Sequence, residues 1–261
     1  MKIGIFDSGL AGLAVARELC RSVADHQVLC LADTAGFPYG IKSPATIAPR
    51  LERGLDWLVD QGVDAIGIAC GSAAAVHAAG LVRDRAITLA DVVTAAVPEA
   101  LSASRSGRIG VLGSAAALQT GVFRRLIEGA GAVAVEACAP LLAALVMAGW
   151  ARRPETRRIV KKSLLPLRRR QIDTLIIGSG SATVLGATIR EKIGARVAVV
   201  DGCQALARRM TKDLSLGPVA ESGPAPAGRV TCCLTDSADH FAAMAQKIFR
   251  GRLEVGQASG L

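Results

Sequence analysis

The chain has 261 residues and a formal net charge of +9, with 51% apolar residues and only 3% aromatics. That length can bury a real core as one large domain or two small ones, and a core so poor in aromatics has to be built from Ala, Val, Leu and Ile, as in parallel sheets covered by helices. The longest apolar helical stretch, Ala137 to Trp150, falls short of the ~20 residues that cross a bilayer, and Met1 leads straight into a strand-like run without a signal-peptide pattern, so a soluble cytoplasmic protein is expected.

Short β-rich runs recur, each closing on small residues and followed by a helical pattern. The first is Ile3–Phe6, ahead of Asp7-Ser8-Gly9. Val28–Leu31 follows, ahead of Ala32-Asp33-Thr34, and then Ala65–Ala69, ahead of Cys70-Gly71-Ser72. Pro44 and Pro98 fall where helices begin or continue after turns. Ile109–Leu112 runs into Gly113-Ser114. Residues 151–170 then carry seven Arg and two Lys against one Glu, a net +8 that accounts for nearly all of the chain's charge. Interleaved Ile159, Val160, Leu164 and Leu165 make this segment read as a helix with a solvated outer face. No aromatic residue lies within it, so nucleic acid is not the expected partner. Thr174–Ile177 precedes Gly178-Ser179-Gly180-Ser181, and Val197–Val200 precedes Asp201-Gly202. Gly217–Gly228 is a loop by composition, Arg229–Leu234 reads as a strand and Asp236–Phe249 as a closing helix. Strand, small-residue turn and helix in repetition is the pattern of βαβ units around parallel sheets, an α/β fold.

In such sheets ligands bind at the carboxyl ends of the strands, where helix N-termini aim N–H groups at anions. One Gly-Ser turn alone is an ordinary helix cap. Several, two of them similarly placed in the two halves, point to a shared site for a small carboxylate. The turns lack a well-placed GxGxxG, which argues against a dinucleotide. The seven cysteines show no CxxC pair and read as reduced thiols. The three histidines have no metal-ligand spacing, so no metal is expected.

The residues carry a family resemblance. The opening IGIFDSGLAGLAVARELC and the block LADTAGFPYGIKSP (Leu31–Pro44) resemble the corresponding motifs of glutamate racemases, in the aspartate/glutamate racemase superfamily. IACGSAAAV (Ile68–Val76) resembles the family's first cysteine motif, and DTLIIGSGSATVL (Asp173–Leu185) sits where the second belongs. RIGVLGSAAALQTGVFRRLI, EACAPLLAALV, VAVVDGCQALA and TCCLTDSADHFAAMAQKIF are similar to later blocks, so the resemblance runs over nearly the whole chain. It implies two similar α/β lobes with parallel sheets flanked by helices and an active-site cleft between them. Residues 1–95 plus 205–261 would form the first lobe, which carries Cys70, and 96–204 the second, which carries Ser179. It further implies chemistry without cofactor: one thiol removes the α-proton and another, from the opposite lobe, returns it on the other face.

The departures from that pattern are specific. Cys70 matches the first catalytic cysteine, but Gly71 and Ser72 stand where the family has Asn and Thr. Ser179, Gly180 and Ser181 stand where it has Cys, Thr and His, and Val146-Met147-Ala148 occupy the region of its acidic helix residue. Asp7, Ser8, Pro38, Tyr39 and Gly40 are kept. A serine hydroxyl is a poor base without an activating partner. The resemblance therefore implies a catalytic set of Cys70, Ser179 and Asp7, with Ser8, Pro38, Tyr39, Gly40, Gly71, Ser72, Gly180 and Ser181 binding substrate. The expected activity is single-thiol proton transfer on a small carboxylic or acidic amino acid, by decarboxylation, elimination or isomerisation. Arylmalonate decarboxylases, in the same superfamily, use one cysteine. The alternatives are a glutamate racemase of weak or altered activity, and a non-catalytic binding protein for an acidic ligand or a macromolecular partner. A homodimer stays open.

Overall fold

Among the described residues every strand pairing is parallel, as the repetition of strand, turn and helix requires. The computed structural model describes residues 1–22, 26–216, 229–236, 239–249 and 251–261. The first part of the chain forms β1 (Lys2–Asp7), α1 (Gly12–Ser22), β2 (Gln27–Ala32), α2 (Pro44–Asp60), β3 (Ala65–Ile68), α3 (Gly71–Ala78), β4 (Thr88–Asp91) and α4 (Val92–Ala103). The middle forms β5 (Arg108–Gly113), α5 (Ala115–Gln119), α6 (Val122–Gly129), β6 (Val133–Cys138), α7 (Leu142–Met147), α8 (Pro154–Arg169), β7 (Thr174–Ile177), α9 (Gly180–Thr183), α10 (Gly186–Ile193) and β8 (Ala198–Asp201). The chain ends with α11 (Gly202–Asp213), β9 (Arg229–Leu234), α12 (Asp239–Phe249) and β10 (Leu253–Gln257).

Two sheets result. One has six strands in the order β10-β9-β2-β1-β3-β4, the other four in the order β6-β5-β7-β8. Each belongs to one lobe of an α/β fold, and the C-terminal strands return to the first sheet. The chain crosses between lobes through α4 and α11, which pack on each other. Both start the same way. Asp91, at the end of β4, accepts from the N–H groups of Val93 and Thr94 at 2.8 Å. Asp201, at the end of β8, accepts from Cys203 and Gln204 at 3.0 and 3.3 Å. Each carboxylate caps two free helix donors and draws on the positive end of the helix dipole.

The core is aliphatic, as the composition demands. One continuous set of buried side chains, including Ile3, Ile5, Leu13 and Leu55, extends from the first sheet to Ala116, Phe123 and Ile127 of the second lobe. A smaller set, with Val160, Leu164, Leu167 and Leu175, packs α8 on the second sheet.

Three strands, β4, β6 and β10, were not expected from the sequence. β4 is only four residues long, β6 and β10 are edge strands, and β6 is exposed or half-buried at five of its six positions. An edge strand buries too little to show a continuous apolar run. The apolar stretch Ala137–Trp150 is no single helix: its first residues finish β6, and α7 occupies only Leu142–Met147. The strand expected at Val197–Val200 is shifted to Ala198–Asp201. The loop expected at Gly217–Gly228 lies outside the described residues. Among the described residues no helix is long and apolar enough to cross a membrane.

Candidate active site

The carboxyl ends of β1, β3, β5 and β7 meet at the junction of the two lobes, and each delivers a small polar residue to one cleft. β1 brings Asp7 and Ser8, β3 brings Cys70 and the first turn of α3, β5 brings Ser114, and β7 brings Ser179 and Gly180. A 3-10 turn, Tyr39–Ile41, closes the side of the first lobe. Asp7, Ser8, Pro38, Tyr39, Gly40, Cys70, Gly71, Ser72, Ser179 and Gly180 all line this one cleft. They come from segments separated by more than 170 residues, and the sheets bring them together. The side chain of Ser181 lies outside the described residues.

On the first lobe, Cys70 stands at the N-cap of α3 in an extended conformation. Its Sγ lies 3.1 Å from Ser8 Oγ. Asp7 is buried behind them and accepts from the N–H groups of Ser8 and Gly12, each at 2.9 Å. Burial raises the Asp7 carboxyl above its ordinary value, and these N–H donors offset only part of that. Burial, then the Asp7 carboxylate, push the Cys70 thiol up to about 11, against smaller opposing contributions from Ser8 and Ala73. At neutral pH Cys70 therefore rests as a protonated thiol, a proton donor at the cleft.

Tyr39 is buried in the wall of the cleft and anchored by its hydroxyl. Its hydroxyl donates to Asp33 Oδ2 at 2.6 Å, and Arg50 grips both oxygens of the same carboxylate at 2.7 and 2.8 Å. Thr235, at the end of β9, adds a third donor at 2.9 Å. Burial works to raise the Asp33 carboxyl, but the hydrogen bonds from Arg50, Tyr39 and Thr235 outweigh it and hold the group below its usual range. The network locks the Tyr39-Gly40 turn at the cleft's edge.

On the second lobe, Ser179 occupies the N-cap of α9, yet its side chain makes no capping hydrogen bond. The lobes touch closely here. Ser72 Oγ and Ser114 Oγ are 2.8 Å apart across the junction. A Cβ on Gly71 would overlap the backbone carbonyl of Gly178, and one on Gly180 would fall 2.6 Å from Ala11 Cβ. Only glycine permits this backbone-to-backbone approach. The open space left in the cleft is about 40 Å³, room for no more than roughly three water molecules.

Of the residues lining the cleft, the titratable ones are Asp7, Tyr39 and Cys70, with no Lys, Arg or His among the described residues. An anionic ligand there would be held by hydroxyls and by helix N–H groups. No group of described His, Cys, Asp and Glu side chains could hold a metal ion. Phe37, Ile41, Ala139, Pro140 and Ala143 form the apolar wall. Sequence reasoning passed over that wall, together with Ser114 and the Asp33–Arg50–Thr235 network. Ser114 stood in one of the strand-end Gly-Ser turns and could have been picked from it; the pairing of Arg50 with Asp33 carried no signal.

Comparison with known proteins bears on the family and the fold. A family model described as Asp/Glu/Hydantoin racemase matches residues 3–210. A glutamate racemase of Deinococcus radiodurans is 35% identical over 248 residues, 94% of this chain and 85% of its own. One from Pseudomonas aeruginosa is 36% identical over 231 residues, 87% and 86% of the two chains. Among solved structures, the glutamate racemase of Aquifex pyrophilus is 30% identical with a TM-score of 0.77, over 98% of each chain. A glutamate racemase isoform of Bacillus anthracis has a TM-score of 0.88 over 98% of this chain and 96% of its own; at 24% identity that likeness speaks for the fold alone. By sequence and by fold, the chain belongs to the Asp/Glu/Hydantoin racemase family.

Proposed function

We propose that the protein is a cofactor-independent enzyme that moves a proton at the α-carbon of a small carboxylic or acidic amino acid through a single thiol, Cys70. The observation that carries this reading is the asymmetry of the cleft lining: a thiol with Asp7 and Ser8 on one lobe, and only hydroxyls and glycine N–H groups on the other. Ser179 takes the place that a second thiol holds in the family's two-sided relay.

On one face the minor thiolate form of Cys70 takes the α-proton, the electron pair passes into the enediolate, and the thiol so formed returns a proton to Cα from the same face. Ser179, Ser72 and Ser114 and the N–H of Gly180 stabilise the charge that spreads onto the carboxylate as the enediolate forms, and each such donor is worth ~10²–10³ in rate. Among the described residues that line the cleft no base of comparable strength stands on the opposite face, because an unactivated hydroxyl cannot abstract an α-proton. A decarboxylation would balance in the same way: carbon dioxide leaves, its electron pair stays at Cα, and the Cys70 proton quenches it. Elimination and one-sided isomerisation would use the same half-site, but the family membership favours racemase-type proton transfer.

A second reading, glutamate racemisation, is favoured by the 35% identity over 94% of the chain to a glutamate racemase. Incubation with L- and D-glutamate in deuterated buffer separates the two. Exchange on one face without inversion supports the one-thiol reading. Inversion at a rate matching exchange supports racemisation and sinks it. No exchange with either enantiomer moves the search to other small carboxylates.

A further inference from the structure

The strongest feature outside the cleft is α8 and its flanks. All nine basic side chains of residues 151–170 are exposed: Arg152, Arg153, Arg157, Arg158, Lys161, Lys162, Arg168, Arg169 and Arg170. Among the described residues only Arg157 is in an ion pair, with Glu191. Cations elsewhere in the chain commonly have acidic partners, such as Arg50 with Asp33, Arg85 with Asp56 and Arg208 with Glu99. None of the nine lines the cleft, and Arg168–Arg170 sit ahead of β7, at the end of the sheet opposite Ser179.

The patch continues past the helix. A groove of about 610 Å³ between the C-terminal half of α8 and the edge strand β6 has Arg108, Arg169 and Arg170 at its wall, beside the apolar Val133, Ala134, Val135 and Pro166 and the one acid, Glu136, which is held in an ion pair with Arg124. At the other end Trp150 is 44% exposed with the Arg153 guanidinium 5.7 Å over its ring. It supplies the aromatic neighbour that residues 151–170 lack.

From this geometry we infer that α8 and its flanking arginines form a docking face for the phosphate backbone of nucleic acid. α8 is about 24 Å long, and the uncompensated charge along it repels itself unless a dense polyanion neutralises it. A duplex presents one negative charge per ~1.7 Å of its axis, without gaps. The surface of a folded acidic protein mixes signs and spacings. An anionic membrane is a poorer match, because Val160, Leu164 and Leu167 of α8 are buried in the core and Leu165, alone exposed among the cations, makes no apolar face to insert. Arginine outnumbers lysine seven to two here, and its planar fork suits phosphate oxygens. The charges run along one rigid face and no element enters a groove, so the binding is to backbone and independent of base sequence.

The test is titration of the full-length protein with a short DNA duplex of random sequence at several salt concentrations. With about five phosphates neutralised, log K falls with log[salt] at a slope of about −4.5, a loss of roughly 500-fold between 50 and 200 mM. The triple variant Arg158→Gln, Lys162→Gln, Arg169→Gln is expected to flatten that slope by about three and to weaken binding at 50 mM salt by at least tenfold. Its melting temperature should stay unchanged, since these residues are exposed. Poly-glutamate and phosphatidylglycerol vesicles serve as the other polyanions. No duplex binding at 50 mM salt, binding untouched by the triple variant, or tighter binding of poly-glutamate or vesicles than of duplex would each overturn the inference.

Discussion

Gly71→Ala puts the contact between the lobes to the test. The added methyl would overlap the Gly178 carbonyl, and Ser179 Cα lies only 3.2 Å from the same point. The obstacle is backbone, with no flexible side chain that can swing aside. To restore van der Waals contact the two strand ends must part by roughly 1 Å or more. Overpacking of this kind costs about 1–3 kcal/mol, and a rigid obstacle places it near 3. For a chain of this size that is a fall of about 6–12 °C in melting temperature. The same displacement separates Cys70, the residue before Gly71, from Ser179, and a misplacement of about 1 Å costs ~10²-fold in rate. Gly129→Ala is the control. Gly129 is the last residue of α6 and a Cβ there meets nothing within 4 Å, so alanine should stabilise by up to about 1 kcal/mol. The assays are calorimetric unfolding and α-proton exchange in deuterated buffer. If Gly71→Ala unfolds at the wild-type temperature and exchanges at the wild-type rate, the backbone contact does not organise the site and the close apposition of the lobes is irrelevant to it.

Cys70→Ala should reduce turnover on the true substrate by at least ~10², since it removes the one thiol among the described residues that line the cleft; retention of wild-type activity would end the one-thiol mechanism. Ser179→Ala should slow turnover by ~10²–10³ without changing product handedness, and Ser179→Cys should raise inversion relative to exchange. Burial, and after it the Asp7 carboxylate, push the Cys70 thiol up to about 11 from an ordinary value of 9.0. Because the folded value is the higher one, its contribution to stability is complete below about pH 9 and is lost as pH rises toward 11. Denaturation titrations across that window should show a steeper alkaline loss in the wild type than in Cys70→Ala, and equal slopes would contradict the burial of the thiol and, with it, its placement beside Asp7. Tyr39→Phe removes the 2.6 Å hydrogen bond to Asp33 and should cost about 1.5–3 kcal/mol, seen as a lower urea midpoint at unchanged slope.

Much of this was legible before any coordinates. The alternation of short aliphatic runs with Gly and Ser turns dictated parallel strands with helices between them, because strand-end glycines and helix-capping serines are local requirements written into neighbouring residues. For the same reason Asp7-Ser8, Cys70-Gly71-Ser72 and Ser179-Gly180 could be picked out as cleft residues: each sits where a β-strand hands over to a helix. The outward face of the nine cations of 151–170 followed from the interleaved apolar positions, although of the four expected to face inward only Val160 and Leu164 are buried, Ile159 is half-buried and Leu165 is exposed, its place in the core being taken by Leu167.

What the sequence could not carry was everything that depends on distance between remote segments. β6 and β10 are edge strands whose modest burial leaves no pattern. Asp33 gains its meaning from Arg50 and Thr235, which reach it only once β2 and β9 pair and α2 packs against them. Gly71 and Gly180 read as departures from a motif; the fold shows them as points where two backbones meet. Likewise the sequence counted the charge of α8 but not its partners. The composition and turns of the chain determined the α/β class and the residues at the strand ends. The spacing between lobes, the protonation of Cys70 and which of the α8 cations find an acidic partner were decided only by tertiary structure, because each is set by what lies within a few ångströms in space.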